Sequence, residues 1–174
     1  EFFKFFMRGM VTLSKVQSGG LPMDKKQVEI AKAEVEAKRQ EALNAILNSD
    51  DGRKYMHRYA AILNPNSPAD LKKLFIMNGT ISEKDAEGKS FDVEYLESLN
   101  TPLSENILQM RKYAKIGKTF IKGYDREAVF DAPTGSYLIR PFFNLSTGSG
   151  GESGGPRTYR SSADSPNFQN IPKR

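Results

Sequence analysis

The stretch LSENILQMRKYAKIGKTFIKG, residues 103–123, decides the class of fold. Leu103, Ile107, Met110, Ala114, Gly117 and Ile121 recur at steps of four and three, the spacing that puts apolar side chains on one face of an α-helix. Arg111, Lys115, Lys118 and Lys122 form a second stripe, roughly 100° around the same helix. One face would pack while its neighbour presents four cations over about 16 Å. No Asp or Glu lies between Arg111 and Lys122 to form the usual intrahelical pairs.

Helical signals continue upstream. Asp92 to Leu99 reads as a short helix, and residues 80–90 as a polar loop. Ser67-Pro68-Ala69-Asp70 is a helix start: Ser67 caps, Pro68 takes the first helical position, and Asp70 lies near the positive end of the dipole. Gly79 is a natural stop. Asp24 with Gln27 resembles a capping box and opens a long helix from Lys25 to Asn48, ended by a turn at Asp50-Asp51-Gly52. Downstream the period changes. Ala128-Val129-Phe130 and Tyr137-Leu138-Ile139 flank Pro133-Thr134-Gly135, a predicted hairpin. The expected fold is therefore mainly α with a small antiparallel β element (α+β) near residues 128–145. The remainder, to Arg174, reads as irregular.

Composition narrows the chemistry. The 174 residues include no cysteine, which excludes disulfides and thiolate metal sites and fits a reducing compartment. His57 is the only histidine, too few for a zinc centre and a poor basis for a Ser-His-Asp system, so it is read as an ordinary surface or half-buried residue. No segment has the roughly 20 apolar residues of a membrane helix. The glycine-rich run 147–156 places Gly150 and Gly155 at Walker-loop spacing, but Pro156 follows where a lysine is required. It reads as a flexible loop.

The charge is uneven. Residues 1–106 carry 15 Lys and Arg against 16 Asp and Glu, and residues 107–174 carry 11 against 5. The net charge of +5 thus comes from the last third of the chain, a distribution that points to a polyanion and first to nucleic acid. The tail from Thr158 to Arg174 sets Arg, Asn and Gln side chains between Pro166 and Pro172. Such groups can donate to the acceptors that every base pair shows in the minor groove.

This tail resembles the family A (DNA polymerase I type) DNA polymerases, whose segment T-G-R-x-S-S-x-x-P-N-x-Q-N-I-P is matched without a gap at Thr158, Arg160, Ser162, Pro166, Asn167, Gln169, Asn170, Ile171 and Pro172. Tyr159 replaces the usual glycine, and Asp164-Ser165 stands for Ser-Asp. Asn64-Pro65-Asn66-Ser67-Pro68 resembles the family's N-x-N-S-P segment. Arg111, Lys115, Thr119 and Phe120 resemble its thumb-helix pattern, and Gly20 to Asp24 resembles the turn before the thumb. The glycine-rich run and Phe142-Phe143-Asn144 look phage-like.

The resemblance implies a palm-side segment over 1–23, a helical thumb over 24–124 and a partial palm over 125–174. It implies primer–template duplex DNA as partner. The thumb-helix cations Arg111, Lys115, Lys118 and Lys122 would hold the duplex backbone, Arg111 and Lys115 above all. Arg160 would contact the primer strand in the minor groove with Asn167, Gln169 and Asn170 nearby, and Thr119, Asn66, Ser67 and Arg174 are further expected DNA contacts. The short tip between Ile76 and Phe91 leaves no room for a large inserted processivity element. No acid here matches the family's catalytic aspartates, so no catalytic or metal-binding residue is expected in this stretch. Mg2+ is implied for the complete polymerase only, and palm and fingers are the expected protein partners. The cytoplasm of a bacterium or phage-infected host is the expected location. The alternatives are a stand-alone nucleic-acid-binding module and the non-catalytic part of a split polymerase docking on its partner, for which the Phe-rich residues 2–6 would serve.

Overall fold

The computed structural model describes residues 1–144, 162–164 and 166. Helix α1 (Phe2–Gly19) leads through Gly20, at φ +72°, into strand β1 (Leu21–Met23) and helix α2 (Lys25–Leu47). The Asp24 carboxylate starts α2 by accepting from the Lys26 and Gln27 amides at 2.9 and 3.2 Å. Helices α3 (Asp50–Tyr59), α4 (Pro68–Met77), α5 (Val93–Leu99) and α6 (Pro102–Lys115) follow. A π-helical segment (Ile116–Ile121) and helix α7 (Lys122–Glu127) lead to strands β2 (Val129–Asp131), β3 (Ser136–Ile139), β4 (Phe142–Asn144) and β5 (Ser162–Asp164). The fold is mainly helical with a small antiparallel β element, as expected.

The chain divides into two units. One comprises residues 1–31 and 118–174, the other residues 32–117. The helical unit therefore begins and ends inside the 24–124 span implied for a thumb.

Its helices start where their caps dictate. Ser67, Asp92 and Thr101 accept from the amides of Asp70, Tyr95 and Ser104. Thr101 and Ser104 form a reciprocal capping box, both bonds 3.1 Å long. Its core gathers Ile46 from α2, Tyr55 from α3, Leu71 and Phe75 from α4, Leu96 from α5 and Ile107 from α6. Phe75 stacks on Phe91 at 5.9 Å, and Phe91 meets Tyr95 edge-on. Each such buried side chain contributes about 1.5–3 kcal/mol.

In the other unit β3 lies between β1 and β2. Leu21 pairs with Ile139 and Met23 with Tyr137, while Val129 pairs with Leu138 and Asp131 with Ser136. Phe6, Gly9, Leu13 and Gln17 form the less exposed face of α1, at helical spacing. Gln17 accepts from the Phe143 amide at 3.3 Å. The Lys25 ammonium joins α2 to α7 by donating to the Asp125 carboxylate, and to the Asp125 carbonyl at 3.1 Å. It also lies 4.9 Å from the centre of the Tyr137 ring.

Three expectations are corrected. Asp50-Asp51-Gly52 is no turn but the first turn of α3, because Ser49 caps it and accepts from the Gly52 amide at 3.0 Å. The helix expected over 103–123 is α-helical only to Lys115 and widens to π-helix around Gly117, the residue of the segment with the weakest helix preference. The tail read as irregular contains β5, whose Ala163 is buried opposite Phe143.

Candidate nucleic-acid interface

The candidate cations fall on both units, and each unit is described by itself. In the helical unit, α6 carries Arg111, Lys112 and Lys115. The capping box and the buried Leu103, Ile107 and Met110 fix the rotation of α6. Lys112 and Lys115 are then exposed while Arg111 is half-buried.

Arg111 is engaged within the protein. Its guanidinium donates from Nη1 to the Phe91 carbonyl and from Nη2 to the Pro65 carbonyl, the latter at 3.0 Å. Burial holds its pKa below the usual arginine value. No described carboxylate pairs with Arg111, Lys112 or Lys115. Along α5 and α6 runs a cleft of about 490 Å³ whose lining includes Val93, Glu97, Leu108, Arg111, Lys112 and Lys115.

The Pro65 carbonyl belongs to the loop that carries Asn66 and Ser67. Within this loop the Asn64 side chain accepts from the Asn66 amide at 3.0 Å, and Asp70 accepts from the Asn64 amide at 3.1 Å. Ser67 is occupied as the cap of α4. Asn66 is exposed, and its side-chain amide has no partner among the described residues.

In the other unit the π segment and α7 carry Lys118, Thr119 and Lys122, all exposed and without an ion pair among the described residues. The π segment breaks the α-helical period on which the single four-cation stripe was drawn. Lys112 was missed by that periodic selection. Its signal was simply its place in a cation-rich run without acids.

Arg160, Asn167, Gln169, Asn170 and Arg174 lie outside the described residues. Their segment is represented by β5, hydrogen-bonded to β4 in the register Phe143 to Ala163. Among the described residues no group of three or more His, Cys, Asp or Glu could hold a metal ion. No helix among them is long and apolar enough to cross a membrane. What the arrangement offers is electrostatic: exposed ammonium groups without counterions among the described residues, set on helices, suited to phosphate oxygens.

No family model matches the chain. In sequence it is similar to DNA polymerase DpoZ of Vibrio phage phiVC8, 31% identical over 122 residues, which cover 64% of this chain and 18% of that polymerase. In fold it is similar to the POL domain of Pol1 from M. smegmatis, solved as a complex with DNA primer-template and dNTP. The TM-score is 0.63 at 21% identity, over 94% of this chain and 26% of that one. The chain thus spans a minor part of the length of both of these proteins.

Proposed function

We propose that this chain, DNA polymerase I-like in sequence and in fold, is the duplex-gripping part of a template-directed family A polymerase of phage type. The observation that carries the reading is the set of exposed lysines, Lys112 and Lys115 on one unit and Lys118 and Lys122 on the other, none with an ion pair among the described residues. They hold backbone phosphates, which positions a duplex without reading its sequence. Asn66 and Thr119 add neutral polar groups. Arg160, Asn167, Gln169 and Asn170 are assigned to the minor groove, whose acceptors are alike at every correct pair, so geometry is checked while sequence is tolerated, and Arg174 is a further DNA contact.

The chain by itself binds DNA without synthesising it. Nucleotidyl transfer requires carboxylates that hold two divalent ions, Mg2+ in this reading, and those belong to the rest of the palm. A docking role towards palm and fingers is favoured by α1, on which Phe3 and Phe5 are 72% and 77% exposed. The place of action is the cytoplasm, where the template is.

The test is fluorescence anisotropy of a labelled primer–template duplex across a salt series. Binding is expected to weaken steeply with salt, and Lys112→Ala/Lys115→Ala should flatten the log–log slope by about 1.8, roughly 0.9 per phosphate contact. A folded chain that shows no binding at low salt, or a double variant with an unchanged slope, would overturn the reading.

A further inference from the structure

We infer that Arg111 is a positioning residue, which sets the Asn64–Ser67 loop for duplex DNA, rather than a contact to a DNA phosphate. The inference rests on the duplex-binding reading and gives another role to a residue that the family resemblance placed on the DNA backbone. A phosphate contact needs a guanidinium directed at solvent. This one is half-buried, and both of its terminal nitrogens donate to main-chain carbonyls. The carbonyls belong to Pro65 and Phe91, 46 and 20 residues away in sequence. One belongs to the loop before α4, the other precedes the Asp92 cap of α5. Arg111 thus ties three helices of one unit at a single planar group.

Most other polar ties of that loop are local. Asn64, Asn66, Ser67 and Asp70 bond one another in the turn, which fixes its shape, and Asp70 also bonds the Tyr55 hydroxyl of α3. The Arg111–Pro65 bond fixes the turn on α6. Asn66 is the residue this would serve, because it is exposed and its side-chain amide has no partner among the described residues. Burial lowers the pKa of Arg111, and no described carboxylate offsets it, as for a group selected for its fork of donors more than for its charge. Lysine carries the same charge without the planar fork.

This distinction gives the test. Duplex affinity is measured against salt for the 174-residue chain and for Arg111→Lys, Arg111→Ala, Asn66→Ala and Arg111→Lys/Asn66→Ala. A positioning role predicts that Arg111→Lys weakens binding about tenfold, as one well-placed hydrogen bond would, with the wild-type salt slope kept. Arg111→Ala should also keep that slope. Asn66→Ala should cost a similar factor, and the double variant little more than either single one, the signature of coupled residues. A phosphate contact predicts the opposite: Arg111→Lys binds like wild type, and Arg111→Ala flattens the slope by about 0.9. Should the Arg111 variants unfold, Asn66→Ala decides alone, since the residue is exposed and bears no core contact. Unchanged binding in Asn66→Ala overturns the inference. Failure of the wild-type chain to bind duplex at low salt would instead sink the function on which it rests.

Discussion

At Gly52 a side chain would meet the chain's own backbone. A Cβ there would lie 2.2 Å from the Ile46 carbonyl oxygen and 2.9 Å from that of Leu47. The close approach lets α3 start directly after α2, with Ser49 bonding both the Ile46 carbonyl and the Gly52 amide. Gly52→Ala should therefore destabilise by about 1–3 kcal/mol, since backbone must move. Ser49→Ala should cost about 1 kcal/mol, as lost caps do. Urea denaturation of the two variants checks the order; equal stability of Gly52→Ala and wild type would refute the steric account.

A second residue-scale expectation concerns pH. The Arg140 guanidinium, then Thr134, hold the Asp131 carboxyl below the usual carboxylate range. A depressed folded pKa means the added stability is complete above the unfolded value and lost as pH falls through the folded one. The β2–β3 turn should thus stay ordered through neutral pH and loosen only below the ordinary carboxylate range. NMR titration of the Thr134 amide, which donates to Asp131 at 3.2 Å, reads this directly. A midpoint at the ordinary aspartate value would contradict it.

At the scale of elements, α6 depends on its start. Thr101→Ala removes the bond that the Thr101 hydroxyl accepts from the Ser104 amide, and should lower stability by about 1 kcal/mol, seen as a lower melting temperature. Gly117→Ala tests the π segment. An added methyl would meet only Val35, at the ordinary distance of 3.4 Å, so about 0.5–1 kcal/mol of stabilisation is expected from the lost backbone freedom of glycine. Destabilisation would show that the widened turn needs glycine.

These elements also mark what the sequence made legible. The starts of α2, α4 and α5 were readable because Asp24, Ser67 and Asp92 act within three residues of themselves. The hairpin was readable from Pro133-Thr134-Gly135 for the same reason. β1 and β5 were not, because each is held by a partner strand far off or by too few residues to show a period. The π segment escaped because Leu103 to Ile121 keeps α-helical spacing across it. Within the candidate site, the cations were visible as residue types. That Arg111 is engaged and Lys112 free depends on carbonyls of Pro65 and Phe91, which no local pattern reveals.

For the whole molecule, α1 is expected to govern self-association. Besides Phe3 and Phe5 it exposes Met7, Met10, Val11 and Val16. Apolar surface gathered on one helix promotes association. Phe3→Ser/Phe5→Ser should lower the apparent mass at high concentration in sedimentation velocity, with the circular-dichroism spectrum unchanged. An unchanged mass would show that α1 is not the adhesive surface.

The pairing of Leu21–Met23 with Tyr137–Ile139 carries a consequence for how such a chain could have been assembled. The helical unit, residues 32–117, is spliced into a unit whose sheet closes around the splice. Ala31 and Ile121, on either side of it, line the same cavity of the host unit, and Lys25 holds Asp125 close by. A module whose two ends leave its host side by side is a cassette. It can be lengthened, shortened or exchanged during evolution, or replaced by a brief linker at the bench, without unthreading the sheet that holds it.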